Sequence, residues 1–412
     1  MGERDRVIYH CDMNAYFASV EELLHPELKD VPMAICGDPK NRRGIIVAKN
    51  ERAKAFGVKT AETIFQALKK CPGLVLRPTH RHLYSVYCDR ANAIYGTYSD
   101  LVEPASIDES YLDVTGSLHL FGGDAEALAH EIRMRIQREL GLTISVGMSY
   151  NKFFAKMASD MKKPNAVTVI SRDNYREKIW PMKVGEMHMV GKSAEAGLVG
   201  INIRTIGDLA EADLEMLVRK FGKYGEYLHA NANGLDATPV LSSEAMPEAK
   251  SIGNGITFKR NLVSEQDIRT ALAALADTVA SRLRREGLKC STVQVTIKDA
   301  NLKVITRQRK LESPSWLAFE LASSAMELVK ANWPSGKPIR LLGVTAMKLV
   351  EKDYVAEQIS LFDSPKDGAV REKHERLERA VDAIRGKYGG DSINMAGVVY
   401  NDLGIHEEYG ED

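Results

Sequence analysis

Two acidic clusters in the chain have the residue types and the setting for metal-assisted chemistry. One is Asp12, which ends the run Val7-Ile8-Tyr9-His10-Cys11; the other is Asp108-Glu109, set within Ala105-Ser106-Ile107-Asp108-Glu109-Ser110-Tyr111-Leu112-Asp113. In each, a carboxylate stands at the edge of an apolar, strand-like run, where burial is costly without a cation. Brought together, Asp12, Asp108 and Glu109 would form a hard, all-oxygen cage suited to Mg2+, and to two such ions if a triphosphate supplies further ligands. That constellation serves phosphoryl transfer. An isolated aspartate is more often a helix cap or a surface charge, but a carboxylate pair inside an apolar strand does not suit either role.

The elements that must position these residues follow from periodicity and punctuation. Residues 7–11 read as a strand that delivers Asp12 to its end, and Asn14 as the cap of a helix to about Leu24, stopped by His25-Pro26. The stretch 30–80 reads as a small mixed lobe, with strands at 31–36 and 44–48 and a helix at 61–70. A helix over 81–101 is ended by Glu103-Pro104. A hairpin around Asp108 and Glu109, a helix at 124–140, a strand at 142–148, a helix at 151–161 and a strand at 166–170 follow. With the 30–80 insertion set aside, the order is β-α-α-β-β-α-β-α-β, an α+β sheet related to the ferredoxin-like plan. Short helices with Gly and charged turns occupy about 175–240, a linker-like stretch ends near 250, and 251–350 reads β-α-β-β-α-β. Residues 367–388 read as a charged amphipathic helix.

A chain of 412 residues with 44% apolar and 27% charged residues is expected to be globular and to hold two to four domains. It has no apolar run of ~18 residues, so no membrane partner is expected. The charged start, Met1 to Arg6, predicts no secretory signal. The five cysteines are scattered without a Cys-x-x-Cys pair, which points to neither zinc nor disulfides and to a reducing cytoplasm. The formal charge of zero conceals an uneven chain: residues 250–350 carry 17 Lys or Arg against 8 Asp or Glu, and 351–412 carry 8 against 15. A basic module beside an acidic tail suits a polyanionic partner better than the total suggests, although a solvated surface would look the same.

Four stretches in order resemble the signatures of Y-family, translesion DNA polymerases of the DinB (DNA polymerase IV) branch. Ser106-Ile107-Asp108-Glu109-Ser110-Tyr111-Leu112-Asp113 resembles that family's S-I-D-E-x-Y-L-D signature, and Asp12-Met13-Asn14-Ala15-Tyr16-Phe17-Ala18-Ser19-Val20-Glu21 its opening motif. Phe56-Gly57-Val58-Lys59 and Asp160-Met161-Lys162-Lys163-Pro164-Asn165 resemble two more. The resemblance spans about residues 5–365 and implies a multidomain α+β right-hand polymerase. In it, a ferredoxin-like palm (1–24 and 81–174) carries small fingers (25–80) and a helical thumb (175–241). A linker (242–250) leads to a βαββαβ little finger (251–350) and a tail (351–412).

The same resemblance implies site roles. Asp12, Asp108 and Glu109, with the Met13 carbonyl, would hold two Mg2+ ions, Mn2+ being a possible substitute. Phe17 is the expected steric gate against ribonucleotides, with a core aromatic as the alternative. Tyr16 and Lys163 would flank the incoming dNTP. Many members carry Tyr-x-x-Arg ahead of the F-G-V-K run; here those places read Glu51 and Lys54, which leaves the triphosphate grip to Lys49 and Lys54 or to Lys54 alone. Asn14 replaces a usual Asp. The roof over the templating base falls near Ile45 and Val47. Residues 189–201 resemble the thumb's helix-hairpin-helix, with Gly191 approaching DNA phosphates, and Lys259, Arg260, Arg307 and Arg309 are candidate contacts to primer-template DNA. Gln358-Ile359-Ser360-Leu361-Phe362 resembles the peptide that docks on the bacterial beta sliding clamp; Gln358, Leu361 and Phe362 are its anchors. The implied activity is template-directed, low-fidelity DNA synthesis past damaged bases by a monomer in the cytoplasm. Alternatives are a partner-dependent UmuC-like polymerase, a nucleotidyl transferase or cyclase on the same palm, and a silent DNA- or clamp-binding scaffold.

Overall fold

A computed structural model describes residues 5–37, 44–245, 248–352, 365–399 and 401–405. The chain divides into two compact units, one ending near residue 246 and the other beginning at 247.

In the first unit a five-stranded sheet has the order β5-β6-β1-β7-β8, with β1 Ile8–Met13, β5 Val102–Pro104, β6 Glu109–Asp113, β7 Ile144–Ser149 and β8 Val167–Ile170. All six residues of β1 are buried, as befits the central strand of a sheet covered by helices. The helices Arg81–Gly96 and Ala125–Leu140 contribute Tyr84, Tyr95, Leu128, Ile132 and Ile136 to its core. Asp124 caps the second of these through Glu126 N and Ala127 N. With β2 Met33–Cys36, β3 Ile46–Lys49 and β4 Val75–Arg77 set aside as a separate three-stranded sheet, the order of elements is the β-α-α-β-β-α-β-α-β read from the sequence. Residues 175–232 form short helices around Ile179, Leu198, Ile206, Leu209, Leu217 and Leu228.

Two local expectations are corrected. The helix over 81–101 stops at Gly96, because Val102–Pro104 is taken up by pairing with β6 and Leu101 O accepts from Asp113 N. Asn14 does not cap the Tyr16–Leu24 helix. The chain turns out of β1 through Ala15 at φ 46°, and the Asn14 side chain instead donates to Ser145 Oγ and accepts from Asn165 N.

In the second unit β9 Ser251–Leu262, β10 Leu288–Asp299, β11 Val304–Ser315 and β12 Ile339–Glu351 form an antiparallel sheet of order β11-β10-β12-β9. The helices Glu265–Arg285 and Ala318–Asn332 cover one face and bury Leu272, Leu275, Val279, Leu283, Leu321 and Ala325 against it. The described part of the acidic tail packs on the second unit itself. Glu378 and Asp382 of the Pro365–Tyr388 helix hold the buried Arg284, Arg385 pairs with Asp277 at 2.7 Å, and Val398, Leu403 and Ile405 enter the core.

Candidate active-site cleft

Backbone pairing joins the two acidic clusters. The antiparallel register of β1 with β6 places Asp12 opposite Glu109. Asp108 stands in the turn just before β6, where its carbonyl accepts from Met13 N at 3.0 Å and its Oδ1 from Ser106 Oγ at 2.7 Å. These residues share a cleft of about 510 Å³ with Tyr16, Phe17, Val47, Lys49, Lys54 and Lys163.

The cations come from the Lys152–Met161 helix and the turn beyond it. This helix lies hard against β7: a Cβ on Gly147 would stand 2.0 Å from Ala155 O and 2.4 Å from Ser159 N. The close approach carries Lys156 down onto the carboxylates, its Nζ 2.8 Å from Glu109 Oε1 and 3.2 Å from both Asp12 Oδ2 and Asp160 Oδ2. Lys163 Nζ lies 2.8 Å from Asp12 Oδ2 and 2.9 Å from Asp160 Oδ1. Among the described residues, no three His, Cys, Asp or Glu side chains converge closely enough, as they stand, to hold one metal ion. The donor set nonetheless fits a hard divalent cation: carboxylates on two paired strands and at a turn, all oxygen, already drawing ammonium groups to hydrogen-bonding distance.

Titration behaviour follows from burial against these partners. Burial raises Asp12 above the ordinary carboxyl value, against the pull of Lys163 and Lys156. The His10 ring and Lys156 hold Glu109 well below its ordinary value, despite burial. The His10 contact is long, Nε2 to Glu109 Oε2 being 3.5 Å, and burial pushes the imidazole toward its neutral form, so Lys156 is the full cation beside Glu109. Burial opposes the Lys156 charge, yet Glu109, Asp12 and Asp160 outweigh it and raise its pKa.

The other expected residues are placed as follows. Phe17 lines the cleft, and its ring stacks on Tyr84 with centroids 4.2 Å apart and planes 12° apart. Tyr16 is mostly buried, its hydroxyl donating to the Tyr84 carbonyl. Lys54 reaches both carboxylate oxygens of Glu51 at 3.1 Å, and Lys49 donates to Thr60 Oγ1; all four line the cleft. Val47 lines it too, whereas Ile45 is not among the lining residues and is exposed. Gly191 precedes the Lys192–Val199 helix as its N-cap.

In the second unit Lys259 lies on the opposite side of β9 from Phe258 and Arg260. Arg260 is held by Asp267 and Asp402. Arg307 donates to Asn332 Oδ1, and Arg309 pairs with Glu327, both on the Ala318–Asn332 helix. These three arginines are therefore committed to partners on the helical side of the sheet. Gln358, Leu361 and Phe362 lie outside the described residues. Lys156, His10 and Asp160 were not singled out from the sequence. His10 and Lys156 each stand inside a run otherwise patterned for burial, whereas Asp160 lies at the exposed end of its helix.

Residues 11–160 match the impB/mucB/samB family and residues 249–361 that family's C-terminal domain. The chain is 45% identical over 401 residues to the DNA polymerase IV of Acetivibrio thermocellus, covering 97% of this chain and 99% of that one. It is 39% identical over 396 residues to the DNA polymerase IV of Clostridium kluyveri, covering 95% and 98%. A solved Y-family DNA polymerase chimera of Dbh and Dpo4 superposes with a TM-score of 0.74 at 23% identity, covering 84% of this chain and 99% of that one, a likeness in fold. The chain thus has the palm, fingers, thumb and little-finger architecture of these enzymes, and it belongs to the Y family of DNA polymerases, in the DNA polymerase IV (DinB) branch.

Proposed function

We propose that this chain is a template-directed DNA polymerase that adds dNTPs to a primer 3′-hydroxyl and copies past damaged bases with low fidelity. The observation that carries the reading is the pairing of Asp12 with Glu109 across β1 and β6, with Asp108, Lys163 and Phe17 in the same cleft. Asp12, Asp108, Glu109 and the Met13 carbonyl would hold two Mg2+ ions, with Mn2+ a possible substitute; such ions lower the pKa of the attacking hydroxyl and offset charge on the departing pyrophosphate. Lys163 supplies a point charge for the triphosphate, released from Asp12 when the carboxylate finds another cation. Lys54 and Lys49 offer further positive charge from the fingers, tempered by Glu51. Phe17 presents its ring to the sugar and excludes a 2′-hydroxyl by bulk.

The second unit is read as a sheet that lies along primer-template DNA, with Lys259 among the candidate contacts. Gln358, Leu361 and Phe362 dock on the bacterial beta sliding clamp, so a weak grip on DNA is offset by a high local concentration of primer ends. The protein works as a monomer in the cytoplasm. The partner-dependent UmuC-like reading is less well supported, since the similar proteins are DNA polymerases IV. Primer extension with Mg2+ and four dNTPs, on undamaged and abasic templates, tests the proposal. Extension lost in Asp108→Ala supports it; no extension, even with a bacterial clamp present, would turn belief to the scaffold or partner-dependent readings.

A further inference from the structure

Outside the acidic cleft, the first unit buries one carboxylate that the reading above leaves unused. The Glu21 side chain is fully buried, and its Oε1 accepts from Tyr84 OH at 2.9 Å and pairs with His80 Nδ1 at 2.6 Å. Its Oε2 makes no hydrogen bond; the nearest cation is Arg77 Nη2 at 3.6 Å, from β4. Such a group is costly to keep and replaceable in a core by an apolar side chain, so packing alone does not account for it.

The spacing of its partners suggests a purpose. Phe17 and Glu21 are four residues apart on the Tyr16–Leu24 helix and share one face of it. His80, which begins the Arg81–Gly96 helix, and Tyr84 are likewise four apart. The two pairs interlock: the Phe17 ring stacks on the Tyr84 ring, while Glu21 holds the Tyr84 hydroxyl and the His80 ring one turn away. Tyr16 adds a third tie, its hydroxyl donating to the Tyr84 carbonyl. Tyr84 is thus fixed at its ring face, its phenol oxygen and its main chain, and it forms the floor on which Phe17 rests.

We infer that Glu21 is a positioning residue for sugar selection, acting through Tyr84 to hold the Phe17 ring at the height that rejects a 2′-hydroxyl. The inference rests on the reading of Phe17 as the gate. Steric exclusion demands a rigid wall, because a ring free to slide by a fraction of an ångström admits the extra oxygen.

The test is single-nucleotide insertion by the full chain, comparing kcat/KM for a dNTP with that for the matching rNTP. Phe17→Ala, Tyr84→Phe, Glu21→Gln and the double variant Phe17→Ala/Tyr84→Phe are set beside the wild type. Tyr84→Phe removes one oxygen and keeps the stacked ring; it is expected to raise relative rNTP use about ten-fold, the scale of a sub-ångström misplacement. Glu21→Gln should shift the ratio in the same direction. In the Phe17→Ala background Tyr84→Phe should add nothing further, which a general loss of stability would not produce. If Phe17→Ala relaxes selection while folded Tyr84→Phe and Glu21→Gln leave the ratio unchanged, the inference is overturned and the gate reading stands. If Phe17→Ala itself changes nothing, both fall. Should Glu21→Gln fail to fold, Tyr84→Phe alone decides.

Discussion

Replacing Lys156 by Met tests the electrostatic account of the cleft most directly. The Lys156 side chain is 9% exposed, and its Nζ lies within 3.2 Å of Asp12, Glu109 and Asp160. Lys163 remains to serve Asp12 and Asp160, so Glu109 is the group left without an ammonium partner. Breaking a buried pair by removing one member costs about 3–5 kcal/mol; Glu109 is 27% exposed, which argues for the lower figure. About 3 kcal/mol at pH 7 corresponds to a fall of roughly 6–12 °C in the unfolding midpoint of a unit this size. The pH dependence has a definite sign. Because the folded Glu109 pKa is depressed, its ionisation contributes stability above the ordinary carboxyl value of ~4.3, and that contribution is lost as pH falls toward the folded value. The gap between wild type and Lys156→Met should therefore be full at pH 7 and narrow below about pH 4. Added Mg2+ should raise the variant's midpoint more than the wild type's, since a cation that binds only the folded state stabilises it more where one of the two competing ammonium groups is gone. Thermal unfolding of the full chain, following the transition of the first unit, supplies all three readings. A drop of under about 2 °C, or a gap unchanged by pH, would refute the claim that Lys156 neutralises Glu109.

Other expectations follow from the same geometry. Asp108→Ala and Glu109→Ala should each abolish primer extension while sparing DNA affinity; retained extension in either would remove that residue from the metal-binding set. Phe17→Ala should admit ribonucleotides, read as extension with NTPs alone, and unchanged discrimination would return Phe17 to the core. Arg284→Met removes a side chain 5% exposed that Glu378 and Asp382 share, and should lower the second unit's stability by about 3 kcal/mol, measured by urea unfolding. Deleting 358–362 should leave basal synthesis intact and remove its stimulation by a bacterial clamp; persistent stimulation would place the clamp contact elsewhere.

The acids were legible because a carboxylate inside an apolar strand is conspicuous, and the order of elements because each helix and strand carries its own period. Register was not. Nothing in the local pattern says that Asp12 faces Glu109, since that follows from the way β6 slides along β1. Lys156 escaped notice for a related reason. Phe153, Phe154, Ala155, Met157 and Ala158 mark most of that helix as buried, and a lysine among them looks like a single solvated position. Only the close approach at Gly147 turns it inward onto the acids. The arginine candidates show the limit of composition: a basic stretch was visible, but Arg260, Arg307 and Arg309 spend their charge on Asp267, Asp402, Asn332 and Glu327, partners recognisable only after folding. Asn14 was assigned a cap by its type, whereas the tight exit from β1 needed the left-handed turn at Ala15 and left Asn14 free to tie β1 to β7.

The return of the chain onto its own second unit has a mechanical consequence. The chain that carries Gln358–Phe362 joins the end of β12 to the Pro365–Tyr388 helix, and both of these elements belong to the second unit. Whatever takes hold of it pulls on both. The load passes on one side into a strand paired along its length with β10, and on the other into a helix pinned at Arg284, Asp277 and Glu320. A pull entering at the Pro365 end meets the Arg371–Glu320 pair first, and freeing the rest of the helix would also have to part the buried Arg284 from its two carboxylates.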